Sequence, residues 1–564
     1  MSSTPQNRSW GPSHQYRQPP GHGRGHVKLA VIATVVIAVE LFLHRLGQPD
    51  PLGWTVRTML RDGLILTGLF LLVRTLRSGR LRLPFRRPDR SPVTRLADTI
   101  AASPDPGEMV REHSRQQGGG AFLGFYPGGR WVTADPEHAV MILGPPRSGK
   151  TSTIVIPALL AAPGSVVSTA TKRDVLDATW RARSRVGQVW VFDPSGEPSS
   201  FPPGVRRLSW SPVTAASSWD NALLTARAMA ATTSAGKGTT NEHHWRERST
   251  ALLAPLLYAA NLSARPVADV LRWVLRADLG PPGLVLEDHD AHVAGDVLVG
   301  IAKTDQRERS SIFSATAGVL AAYNADATRN AAATPNFDPD RFVHSTDTIY
   351  ITAPAHRQAL CAPLVVGLLE QIRHATYARA APARHDGEPP VFFCLDEVAN
   401  IAPIHDLPAL VSEGGGQHLH VLVCLQDLSQ ARTRWGETAT DGFLSLFQTK
   451  LILTGIADPH TLEAISLALG EYDRNLISHT LARTETRNHF FEHRTPPTET
   501  ESVTYQTGRQ RTLPPGDIAR LPPEHGLLLR GTHWGLLRLT PWHRTQPWVA
   551  VAEAQTDDVA RLAA

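Results

Sequence analysis

The clearest chemistry in the chain lies in one run, Gly144-Pro145-Pro146-Arg147-Ser148-Gly149-Lys150-Thr151-Ser152. Two glycines at this spacing, followed by Lys and Thr, match the loop that cradles the phosphates of a nucleoside triphosphate. Glycine lets the backbone close around the phosphate oxygens, and the helix that follows points its first N–H groups at the anion. In that pattern Lys150 reaches the β and γ phosphates and the Thr151 hydroxyl holds Mg²⁺. Glycines this common could fall at the spacing by chance. Lysines could not so easily: there are six against 51 arginines, and one of the six stands where an ammonium is required. Gly236-Lys237-Gly238 is an internal control. It has no glycine five residues ahead and no Ser or Thr behind the lysine, and it reads as a flexible loop.

A second chemical element is Val391-Phe392-Phe393-Cys394-Leu395-Asp396-Glu397. Five apolar residues form a central strand, and the two carboxylates leave its C-terminal end, where ligands of such sheets bind. Asp396 would hold Mg²⁺, directly or through water, and Glu397 would polarise the water that attacks the γ-phosphate. An acidic strand end is common by itself; paired with Lys150 it is not. A third element is His420-Val421-Leu422-Val423-Cys424-Leu425, with Gln426 at its end. Gln426 is the candidate sensor of the γ-phosphate, with a simple turn residue as the competing reading.

These groups need a scaffold, and the pattern supplies one. Ala139-Val140-Met141-Ile142-Leu143 reads as a buried strand ahead of the phosphate loop, and an apolar helix kinked at Pro157 follows it. Further strands are expected at 164–169, 188–192, 348–352 and 450–454, with helices at 173–183 and 357–380 between them. The alternation is that of a parallel sheet with helices on both faces, an α/β fold. Between 218 and 341 no strand is expected. Helices are expected at 221–233, 242–261, 267–276 and 307–324, punctuated by loops at Gly280-Pro281-Pro282-Gly283 and Pro335. That texture marks an all-helical insertion. Residues 483–511 are polar and read as a loop, and 526–530 with 534–539 as a closing hairpin.

Cys361, Cys394 and Cys424 all sit in apolar segments and read as buried packing residues. The two H-x-x-x-H pairs, His22 with His26 and His489 with His493, lie in polar surroundings with no cysteine beside them, and no structural zinc is expected. The net charge of +5 is unevenly distributed. Residues 1–100 carry 15 Lys or Arg against 5 Asp or Glu, which leaves the rest of the chain at −5, so the high isoelectric point does not mark the body as a nucleic-acid binder.

Residues 1–26 have the composition of a disordered tail. The most apolar stretch is 27–43, which reads as a retained membrane anchor although Lys28 and Glu40 sit inside it. A second stretch, 54–73, either crosses the membrane or lies on it as an amphipathic helix. Arg8, Arg17, Arg24 and Lys28 flank the first span, and Arg74, Arg77, Arg80, Arg82, Arg86, Arg87 and Arg90 follow the second. By the positive-inside rule both ends then face the cytoplasm. The arginine run is a solvated linker or a contact for anionic membrane lipid. The expected parts are a tail (1–26), an anchor (27–80), a linker (81–119), a nucleotide-binding domain in two pieces (120–217 and 343–545) around a helical insertion (218–342), and a C-terminal tail (546–564).

Several phrases resemble one family. Leu395-Asp396-Glu397-Val398-Ala399-Asn400-Ile401 is similar to the D-E-F-A-N-L/I stretch of the type IV secretion coupling proteins, the TraG/TraD-like conjugation ATPases. Val189-Trp190-Val191-Phe192-Asp193-Pro194, His244-Trp245-Arg246-Glu247, Leu425-Gln426-Asp427-Leu428 and Leu513-Pro514-Pro515-Gly516 are also similar to that family's text, in the same order. The composition suggests a high-GC bacterium, such as an actinobacterium. The resemblance implies a RecA-like P-loop NTPase core with ATP and Mg²⁺ as ligands. It also implies a homo-oligomer, usually a hexameric ring, at the inner membrane with its bulk in the cytoplasm. The ring would pass DNA, a relaxase–DNA complex or protein substrates to the secretion channel proteins. The family's Gly-Arg pair is replaced by Ser412-Glu413-Gly414-Gly415-Gly416-Gln417-His418, so no arginine acting between subunits is assigned among Arg307, Arg309 and Arg432. An FtsK-like DNA translocase and a membrane receptor that binds nucleotide with little turnover are the alternatives.

Overall fold

The structure is a computed structural model that describes residues 92–196, 201–232, 242–380, 388–484 and 498–554. The expected tail, anchor and histidine pairs lie outside these residues. Among the described residues no helix is long and apolar enough to cross a membrane.

Short runs, mostly apolar apart from β6, make the strands β1 (Phe122–Phe125), β2 (Trp131–Thr133), β3 (Val140–Leu143), β4 (Val166–Ala170), β5 (Val189–Phe192), β6 (Val205–Arg207), β7 (Thr348–Thr352), β8 (Val391–Leu395), β9 (Leu419–Leu425) and β10 (Thr449–Leu453). After β11 (Glu471–Thr484) and β12 (Thr498–Arg511), a hairpin of β13 (His525–Arg530) and β14 (His533–Arg538) closes the order. Twelve strands form one sheet, β2-β1-β14-β13-β10-β3-β9-β8-β4-β7-β5-β6. The eight from β10 to β6 run parallel, and β13, β14, β1 and β2 extend the edge in antiparallel fashion.

The central strands are mostly apolar because both sheet faces are covered. Val140 and Ile142 join one hydrophobic cluster with the helices α1 (Ile156–Ala161) and α2 (Asp174–Ser184). Met141 and Leu143 point the other way, into a cluster that includes α3 (Trp219–Ala230), α4 (Glu242–Leu262) and α5 (Gln358–Ala380). The three cysteines are buried, and none is in a disulfide.

Between β6 and β7 the described residues contain only helices, among them Val267–Arg276 and Gln306–Val319 at the expected places. The expected loop at Gly280-Pro281-Pro282-Gly283 is instead the first turn of a helix, Gly280–Asp288. Proline suits a first turn, where its missing N–H would have no partner. Pro157 falls in the first turn of α1, where it breaks no helical bond, and a widened turn covers Thr151–Val155 just ahead of it. The polar stretch expected as a loop is in fact strand over its described part. β11 and β12 pair without a break from Glu471↔Arg511 to Thr484↔Thr498. Among the described residues the pair joins no other strand, and its residues lack the apolar alternation by which a strand is read. Two Arg511–Glu463 hydrogen bonds of 2.6 Å tie its base to the helix Pro459–Ala468.

Two buried polar side chains hold the sheet ends. The Arg183 guanidinium donates to the carbonyls of Ala162, Gly164 and Thr346 and to Thr348 Oγ1. Burial pulls its pKa down to about 10, so it stays charged at neutral pH. His420 accepts from the Ala121 N–H at 3.1 Å and donates to the Pro136 carbonyl at 3.2 Å, joining β9 to β1. Burial pulls its pKa down to about 4. The unfolded chain then binds a proton that the folded one refuses, so the stability His420 provides is complete above about pH 6.5 and is lost as pH falls toward 4. The shift corresponds to about 3 kcal/mol. The stability difference between wild type and His420→Gln, measured by urea unfolding, is expected to change by about that amount between pH 7 and pH 4. A pH-independent difference would refute the linkage.

Candidate nucleotide site

β3 hands directly into the phosphate loop. The Gly144 N–H donates to the Leu425 carbonyl at 3.1 Å, which fixes the loop against the end of β9. A Cβ at Gly144 would lie 2.7 Å from Ser148 Oγ and 3.0 Å from Leu453 Cβ, so a larger residue would push the loop's own serine aside. Gly149 has φ 92°, a left-handed backbone that glycine takes without strain. Lys150 Nζ sits within the loop, donating to the Pro145 carbonyl at 3.0 Å and to the Gly144 carbonyl. Ser148 Oγ is buried there with no hydrogen-bond partner.

Thr151 opens the helix after the loop. Its hydroxyl donates to Asp396 Oδ2 at 3.1 Å, across 245 residues of chain. The strand order makes this contact: β8 lies two places from β3, with β9 between them. Asp396 is 7% exposed, and burial raises its pKa against the opposing pull of the Lys150 ammonium and the Thr151 hydroxyl. Asp396 Oδ1 accepts the N–H of Glu397 at 3.1 Å. Glu397 is half-buried and left-handed, φ 53° and ψ 42°, and starts the short helix Val398–Ile401. A non-glycine residue there costs about 1–2 kcal/mol. Cys394 and Cys424 lie beneath the site, and burial pushes both thiols well up, so they stay neutral.

Gln426 stands one residue beyond the Leu143–Leu425 pair, beside the mouth of the loop. Its backbone N–H is held by Gln430 Oε1 at 3.0 Å. Arg432 lies 3.9 Å from Asp458, and Arg309 donates to the Ala302 carbonyl. A cleft of about 980 Å³ borders the helix after Glu397, lined by Ser310, Ser314, Gln358, Asn400, Pro403 and Arg434 among others. Thr169, which the sequence reading did not single out, donates its hydroxyl to the Asp396 carbonyl at 2.7 Å. The signal was there: a Ser-Thr pair sits near the end of an otherwise apolar strand.

A phosphate loop on a central parallel strand, with a carboxylate brought beside it from two strands away, defines the fold as that of a P-loop NTPase. The chain belongs to the family of type IV secretory system conjugative DNA transfer proteins, whose family model matches residues 96–533. Two proteins of Escherichia coli, each described as conjugal transfer protein TraG, are 24% and 23% identical over 326 and 327 residues. Each alignment covers 53% of this chain, and the chain spans 49%, about half, of the length of each relative. Among solved structures, the unbound bacterial conjugative coupling protein TrwB superposes with a TM-score of 0.54 at 15% identity, over 77% of this chain and 91% of that one. TrwB in complex with ADP and Mg²⁺ gives 0.53 at 16% identity, over 79% and 94%. At such identities the likeness is one of fold.

Proposed function

We propose that the chain is an ATPase that drives DNA, or a protein–DNA complex, into a type IV secretion channel. The observation that carries the hydrolytic half is the Thr151–Asp396 contact, with Glu397 next in sequence. The residues fit ATP and Mg²⁺. Ser148 Oγ is a buried hydroxyl short of a partner, and the loop presents an ammonium and helix-start amides to an anion. Thr151 and Asp396 are a hydroxyl and a carboxylate, the hard oxygen donors that Mg²⁺ takes alongside phosphate and water. When bound, the ion would neutralise charge that develops on the phosphates. Lys150 binds and orients the β and γ phosphates. Glu397 accepts a proton from the attacking water, and Gln426 reads whether the γ-phosphate is present. TrwB, of the same fold, has been solved with ADP and Mg²⁺ and with an ATP analogue, which supports this ligand pair.

The cargo half rests on family membership. In this reading the helices between β6 and β7 form the module that meets cargo. The N-terminal region anchors the chain in the inner membrane with its basic flank on anionic lipid, and the body assembles as a ring, usually a hexamer in this family. Plasmid transfer by a strain lacking the chain tests it. Transfer is expected to fall to background and to return on complementation. Normal transfer would favour a translocase that works within one cell.

A further inference from the structure

We infer that Thr169 is a positioning residue for Glu397, an inference that rests on the hydrolytic reading above. The pairing of β4 with β8 runs Val166↔Phe392, Val167↔Phe393, Ser168↔Cys394, Thr169↔Leu395 and stops there. The next carbonyl, that of Asp396, is buried and needs a donor. It receives the hydroxyl of Thr169, whose side chain is fully buried.

That carbonyl and the Glu397 N–H belong to one peptide plane. The Thr169 hydroxyl holds the plane at its oxygen, 2.7 Å away, and Asp396 Oδ1 holds it at its nitrogen, 3.1 Å away. A rigid peptide held at both ends sets the position of the Glu397 Cα. Glu397 is left-handed at that point, and a strained non-glycine residue persists only where its surroundings over-determine it. Glycine would make the same turn without strain, so a glutamate here serves its carboxylate. Thr169 touches neither the phosphate loop nor the Asp396 carboxylate in these hydrogen bonds. It acts on chemistry through the Asp396 carbonyl alone.

Thr169→Val keeps the shape and removes the hydroxyl, whereas Thr169→Ser keeps the hydroxyl. In the full chain, Thr169→Val is expected to lower kcat for ATP by about 10- to 100-fold, the scale of a catalytic group displaced by about 1 Å. KM for ATP and the stoichiometry of ADP binding are expected to stay within about twofold, because the loop is untouched. Thr169→Ser is expected to restore most of kcat. A purely structural role would lower the melting temperature of Thr169→Val and leave kcat per nucleotide-binding molecule unchanged, which would overturn the inference. Equal loss in Thr169→Ser would overturn it too. Absence of turnover in the wild type would overturn the hydrolytic reading and this inference together. Turnover by the wild type and by Thr169→Val alike would overturn this inference alone.

Discussion

Lys150→Ala is expected to abolish ATP turnover by the full chain while leaving the fold in place. Lys150 is half-buried, and its ammonium bonds to the carbonyls of Gly144 and Pro145 within its own loop. Removing it therefore breaks no direct ion pair and empties no part of the core, although buried Asp396 loses the pull of the ammonium and its carboxyl pKa rises further. What is lost is the loop's ammonium, which would face the β and γ phosphates. One preorganised group facing developing charge is worth about 10²–10³ in kcat, so turnover is expected to fall by at least about 100-fold. Affinity falls as well, because the same ammonium serves the bound nucleotide. Phosphate release at saturating ATP and Mg²⁺ measures the first effect and nucleotide titration the second. Unchanged turnover would remove residues 144–152 from the chemistry.

Glu397→Gln is expected to separate the two effects. Glutamine is nearly the same size, and the hydrogen bonds that shape this corner involve the backbone of Glu397: its N–H to Asp396 Oδ1, and its carbonyl accepting from the N–H groups of Asn400 and Ile401. The corner should survive with the proton acceptor gone. General-base catalysis contributes about 10²–10⁴ in rate, so kcat is expected to drop by that order while ADP and Mg²⁺ still bind. The same variant should fail to support plasmid transfer. An affinity loss as large as the loss in turnover would make Glu397 a binding residue, and full transfer by the variant would favour a receptor that needs nucleotide without hydrolysing it.

The two variants differ because the two residues were placed by different means. The phosphate loop is local. Its glycines, lysine and threonine lie within nine residues, between an apolar strand and an apolar helix, and each is needed there for a steric or electrostatic reason visible in the residue type. Asp396-Glu397 was legible for the same reason, as carboxylates ending an apolar run. The helices at Glu242–Leu262 and Val267–Arg276 and the strands of the parallel sheet were legible from length and composition. Where tertiary context overrode local pattern, the reading failed. Prolines at Pro281 and Pro282 looked like loop markers but start a helix, and the polar β11–β12 residues pair as strands without an apolar period of two.

The sequence by itself determined the chemistry on offer: a phosphate cradle, a carboxylate pair, a polar residue at a strand end, and the text of a conjugation family. Only the tertiary structure decided how these meet. β4 follows β3 in the chain yet lies three places away in the sheet, and the gap is filled by β9 and β8, which arrive more than two hundred residues later. That order sets Asp396 against Thr151 on one side and against Thr169 on the other. No local pattern carries it, because strands buried on both faces all read as mostly apolar runs, and backbone hydrogen bonds pair any two of them equally well. The choice among neighbours is made by packing across the whole sheet, and with it the position of Glu397.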